Sequence, residues 1–95
     1  MLRTRFREAL KENLRAKRPR EVGTVRLILA ALKDRDIAAR GGGNAEGIGD
    51  DDILQMLNTM VKQRRESIEL YERGGRGALA QQEKEEIEII HGFMP

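Results

Sequence analysis

The sequence predicts an all-α fold: a four-helix domain made of two helical hairpins joined by a Gly-rich loop. Apolar residues recur at steps of three and four through four segments, which is the period of an amphipathic helix. No stretch sustains the two-residue alternation of a strand, and there is no internal repeat. Pro19, a glycine-rich stretch and Gly74-Gly75 fall at the three places where one segment must give way to the next. Ninety-five residues leave room for one domain, and with 2 Phe, 1 Tyr and no Trp its core must be aliphatic.

The first helix is marked by Leu2, Phe6, Leu10 and Leu14, with Arg3, Arg7, Lys11 and Arg15 on other faces. Pro19 ends it, because proline has no amide donor and disfavours helix in the residue before it. The same proline suits the first turn of the second helix. There Val22, Val25, Leu29, Leu32 and Asp36 form the stripe, flanked by Ile28, Ala31 and Ile37, and the helix is expected to run to about Ala39. Residues 41–49 hold five of the chain's 10 glycines. Each would cost about 1 kcal/mol relative to Ala inside a helix, so the segment is read as a flexible loop. Asp50, Asp51 and Asp52 follow as the cap and first turn of a third helix, where acids meet its free amides and positive dipole end. Ile53, Leu57, Met60, Val61, Ile68 and Tyr71 carry it to Glu72 or Arg73. The fourth helix begins near Arg76, presents Leu79, Ile87 and Ile90, and stops at Gly92.

Charge and composition narrow the function. Lys+Arg 18 against Asp+Glu 16 leaves only +2, but residues 1–40 hold 12 basic and 5 acidic side chains, a net +7, and residues 41–95 hold 6 and 11, a net −5. With no Cys there is no disulfide, thiolate zinc site or cysteine nucleophile, and one His makes no histidine metal cluster. No apolar run is long enough for a membrane span or a secretory signal, so a cytoplasmic protein is expected. Gly42 and Gly47 have the spacing of a phosphate loop, but Ile48 and Gly49 stand where its Lys and Ser/Thr must be. Three carboxylates in a row diverge by about 100° each on a helix and lack the alternation of a calcium loop. No catalytic residue, metal or cofactor is therefore expected.

Two constellations remain. Arg3, Arg5, Arg7, Lys11, Arg15, Lys17, Arg18 and Arg20 place eight cations in the first 20 residues. Arg3, Arg7, Lys11, Arg15, Lys17, Arg18 and Arg20 are the candidate nucleic-acid contacts, able to track phosphates without reading sequence. The competing reading is a solvated face whose charge attracts the acidic fourth helix, with Glu83, Glu85, Glu86 and Glu88. The scarcity of aromatic rings leaves no platform for stacking unpaired bases. The second constellation is structural. Arg64 lies on the apolar stripe of the third helix, and Glu83 and Glu86 lie on that of the fourth. Charges at core-facing positions must be paired, so an Arg64–Glu83/Glu86 pair is expected, with Arg26 as a further partner.

The string Val25-Arg26-Leu27-Ile28-Leu29-Ala30-Ala31-Leu32-Lys33 resembles the second helix of the YqeY-like family, also called the GatB/YqeY-domain family. Val61-Lys62-Gln63-Arg64-Arg65-Glu66-Ser67-Ile68, Tyr71-Glu72-Arg73-Gly74-Gly75-Arg76 and the closing run from Leu79 to Ile90 with Phe93-Met94-Pro95 are similar to it in the same order. The resemblance implies a four-helix N-terminal domain, with the family's smaller C-terminal helical domain expected to be absent here. The glycine-rich stretch departs from the family's shorter, more charged connection. The related part of the glutamine-dependent tRNA amidotransferase B subunit is a helical appendage contacting tRNA, with the chemistry elsewhere. The resemblance thus implies tRNA or an amidotransferase–tRNA complex as partner, and the alternative is an acidic protein or self-association. A carbon–nitrogen ligase activity with glutamine as amido-nitrogen donor is implied only at the level of the family label, with no residue of this chain to carry it.

Overall fold

A computed structural model describes all 95 residues. Four helices run α1 Leu2–Arg15, α2 Pro19–Gly41, α3 Asp50–Arg73 and α4 Gly77–His91. There is no strand. α1 packs on α2 and α3 packs on α4, and the two hairpins meet chiefly through α2 against α4 and α3.

The same local device stops three of the helices. After α1 the amide of Arg18 donates to Asn13 O at 3.0 Å and that of Lys17 donates to Leu14 O at 3.3 Å. After α2 the donors are Asn44 to Ala39 O (2.9 Å) and Gly43 to Arg40 O (3.0 Å). After α3 they are Arg76 to Tyr71 O (2.8 Å) and Gly75 to Glu72 O (3.3 Å). Each satisfies end carbonyls by passing one residue through left-handed backbone. Gly43 and Gly75 fill that place at φ 100° and 72°, but after α1 it is Lys17, at φ 55°. A side chain there is strained, because its Cβ crowds the following carbonyl oxygen.

α3 corrects one expectation. Its N-cap is Gly49, not an aspartate, and no side chain caps it. Asp50, Asp51 and Asp52 all lie in the first helical turn, where they face the dipole. The carboxylate of Asp50 instead accepts the amide of Leu2 at 3.4 Å, and so serves the start of α1, which has no side-chain cap of its own.

The core joins both hairpins. Phe6, Val25, Ile28, Ile53, Met56, Leu57 and Ile90 are wholly buried, with Leu2, Leu32, Met60 and Val61 nearly so. Past the end of α4, Phe93 meets Phe6 edge-on at 5.0 Å between ring centroids. Arg5 lies 5.4 Å over the same Phe93 ring and donates to Gly92 O at 3.0 Å, which supplies a cation at the negative end of α4. Leu14, the last residue of the α1 stripe, is exposed, because the packed part of α1 ends before it.

Candidate nucleic-acid interface

The cations of the first 20 residues divide into those the fold uses and those it leaves free. Arg3 is used. Its Nη1 donates to Asp36 Oδ2 at 2.6 Å, and its Nη2 donates to Asp36 Oδ1 and to Ile48 O, both at 2.7 Å. Asp36 Oδ1 also accepts the amide of Ile48 at 3.0 Å. One carboxylate on α2 thus holds α1 on one side and the far end of the glycine-rich loop on the other. The Arg3 hydrogen bonds, with the Ile48 amide assisting, hold the Asp36 carboxyl down to about 2 against the opposing effect of burial. The same bonds raise the Arg3 pKa. Arg3 therefore leaves the set of phosphate contacts: its donors are committed inside the molecule.

Gly47 makes the clasp possible. It takes φ 83°, and a Cβ on it would collide with Asp36 Oδ1. The loop that reads as a flexible linker is closed by Asn44 Nδ2 donating to Gly47 O at 2.7 Å and by the Asp36 clasp at Ile48.

Arg20 approaches Glu85 at 3.6 Å with both side chains largely in water, an arrangement worth at most about 1 kcal/mol. Arg7, Lys11, Arg15, Lys17 and Arg18 are exposed, and no ion pair within 4.0 Å engages any of them. Arg20–Glu85 is the only ion pair between the basic hairpin and the acidic one. The positive charge of α1 is not consumed by α4.

Arg64 stands on the other side of the bundle. Its Nε donates to Glu86 Oε1 at 3.0 Å, with the side chains only 13% and 8% exposed, and its Nη1 donates to Met60 O at 3.2 Å. Gln82 occupies the second oxygen of Glu86 at 3.2 Å. Glu83 makes no ion pair and sits beside this group. Burial first, and then the charge and hydrogen bonding of Glu86, push its carboxyl pKa up, and Arg64 offsets part of that. Arg26 corrects the expectation: it is exposed on α2 and joins no ion pair, because its face of α2 is not the one that meets α4.

The sequence puts Asp36 on the apolar stripe of α2 but does not name its partner. The signal was available, since a carboxylate at a core-facing position demands a cation as strictly as Arg64 does. Lys33 and Arg40, seven residues apart and both exposed, carry no comparable signal in the sequence. The fold sets them with Arg7 along one groove between α1 and α2. No group of His, Cys, Asp and Glu side chains is arranged to hold a metal ion, and no helix is long and apolar enough to cross a membrane.

A family model described as "Yqey-like protein" matches residues 3–95. The chain belongs to the YqeY-like family. Two curated relatives have the name altered inheritance of mitochondria protein 41, mitochondrial. The one from Eremothecium gossypii is 30% identical over 89 residues, covering 94% of this chain and 46% of the relative. The one from Lachancea thermotolerans is 27% identical over the same lengths. This YqeY-like chain therefore spans about half the length of the relatives it matches. The matched region takes in both hairpins, so the Arg3–Asp36 clasp, the Arg64–Glu86 pair and the basic face all lie on the YqeY-like domain itself.

Proposed function

We propose that this domain is a non-catalytic helical docking module that binds tRNA through its phosphates. One observation carries the reading: Arg7, Lys11, Arg15, Lys17 and Arg18 are exposed together on α1 and the turn after it, with no carboxylate engaged. Five free cations along a helix of 14 residues and its following turn match the dense, regular charge of a nucleic-acid backbone. The absence of Trp and the burial of Phe6 favour contact with a duplex surface over unpaired bases. The resemblance to the tRNA-contacting appendage of the amidotransferase B subunit selects tRNA among polyanions. The proposal needs only an aqueous compartment containing tRNA, which the cytoplasm provides and so does the mitochondrial location in the relatives' names.

The test is a tRNA titration by fluorescence anisotropy at 50 mM and 200 mM salt. Five phosphate contacts give a loss of roughly 100- to 500-fold between the two conditions. Replacing Arg7, Lys11, Arg15 and Arg18 by Glu abolishes binding. No binding at 50 mM, or binding that survives the charge reversal, refutes the proposal. Self-association in light scattering that the same reversal abolishes would favour a protein-docking role.

A further inference from the structure

We infer that Arg7, Lys33 and Arg40 form a clasp for a single phosphate group in the groove between α1 and α2. This rests on the tRNA-docking reading and gives it a point of grip. The groove encloses about 250 Å3, and Arg3, Arg7, Lys33, Asp36 and Arg40 line it with Leu29 on its wall. Arg3 and Asp36 neutralise each other at its floor through two short hydrogen bonds. Asp36 already accepts three hydrogen bonds, Oδ1 from Arg3 and Ile48 and Oδ2 from Arg3. It has little left to offer Arg7 or Lys33. Four cations thus line one groove with a single carboxylate among them, which Arg3 already pairs and whose charge Arg40 also feels, and the surplus of positive charge attracts an anion into the groove.

The register follows from the clasp at the floor. α1 and α2 run antiparallel, and pairing Arg3 with Asp36 sets Arg7, one turn further along α1, opposite Lys33. Lys33 and Arg40 lie seven residues apart on one face of α2, about 10 Å along the axis. Their long side chains can reach a group lying between them. Arg40 also donates its Nε to Ala45 O at 3.3 Å, which steadies it and leaves its two terminal nitrogens for the anion. The apolar wall at Leu29 thins the water on one side and strengthens each of these attractions.

The ligand chemistry is a phosphate group, either the phosphodiester of an RNA strand or a free phosphate. The experiment separates these sources with the full chain, its Arg7→Ala/Lys33→Ala variant and an outer-face control, Lys11→Ala/Arg15→Ala. Arg40 is left in place because it also holds the loop, and thermal melting verifies that each variant is folded. Each protein is titrated with inorganic phosphate, followed by amide NMR shifts, and with tRNA, followed by anisotropy. Inorganic phosphate is expected to move the amides around Leu29, Lys33 and Asp36 in the full chain and the outer-face control, but not in the Arg7/Lys33 variant. That variant is expected to bind tRNA about tenfold more weakly at 50 mM salt, with the salt slope reduced by about one phosphate contact because both cations share one group. Loss of the tRNA effect alone, without phosphate shifts, supports the clasp with a diester as ligand. Phosphate shifts in a chain that binds no tRNA support it with a free phosphate, and refute the docking reading alone. Arg7/Lys33 substitution that changes neither titration overturns the clasp, whatever the outer-face control does.

Discussion

Replacing Asp36 by Asn tests the clasp that ties α1, α2 and the glycine-rich loop together. The substitution keeps the shape and an acceptor for the Ile48 amide but removes the charge that holds Arg3. Asp36 is 6% exposed, so the loss is felt in a partly dry setting. A carboxyl lowered from 3.8 to about 2 corresponds to roughly 2 kcal/mol of stability at neutral pH, taking about 1.4 kcal/mol per pH unit. For a domain of this size that is a fall in Tm of roughly 8–16 °C. The pH dependence gives the sharper signature. Because the folded pKa lies below the unfolded one, this stabilisation is present above the unfolded value of 3.8 and is lost as pH falls through the folded value near 2. About half of it should remain at pH 3. Thermal unfolding followed by circular dichroism, for both proteins at pH 7 and pH 3, measures the gap directly. A gap below about 0.5 kcal/mol at pH 7, or one of equal size at the two pH values, refutes the argument.

Other substitutions probe the remaining features. Arg64→Ala strands Glu86 in a buried site beside Glu83 and should cost about 3 kcal/mol in urea unfolding, whereas Arg64→Met/Glu86→Leu should recover most of that. Equal losses in the two would show that the pair itself, and not an unpaired charge, sets the cost. Glu83→Gln should raise the unfolding midpoint at pH 7, because the raised pKa of Glu83 marks a carboxylate that folding disfavours. Its advantage should shrink as acid protonates Glu83 in the native protein, and an advantage that grows in acid contradicts the assigned cause. Lys17→Gly should add about 1 kcal/mol by relieving left-handed strain after α1, read from the same melts. Gly47→Ala should destabilise more than Gly43→Ala, since both residues have positive φ but only Gly47 abuts Asp36, and equal melting losses would refute the contact.

Much of the fold is legible in the sequence because it is local. Pro19 has its place in the first turn of α2, and Gly75 accepts the left-handed step after α3. Both are consequences of backbone sterics that act within a few residues. The requirement that Arg64 find a carboxylate is likewise legible, since desolvation penalises a lone charge on an apolar stripe whatever the fold. The fate of Arg3 is not legible in this way. On α1 it reads as one more cation of a basic face, and only the approach of Asp36, 33 residues away, turns it into an internal tie. Nor does periodicity distinguish Leu14 from Phe6. Both lie on the stripe, but only Phe6 has neighbours above it.

The sequence by itself determined four helices, the breaks between them and a charge split of +7 against −5, whereas the stop of α1 falls at Lys17, ahead of Pro19, and Phe6 joins an otherwise aliphatic core. The helices, breaks and charge split follow from period, backbone sterics and composition, all of which act at short range. The tertiary structure alone decided which charges are spent and which are free. Coulomb attraction and hydrogen bonding act over a few ångströms, so a cation's role depends on which distant residue the packing of helices brings to it. Packing brought a carboxylate to Arg3 and to Arg64, and it left Arg7 of α1 with Lys33 and Arg40 of α2 lining one open groove.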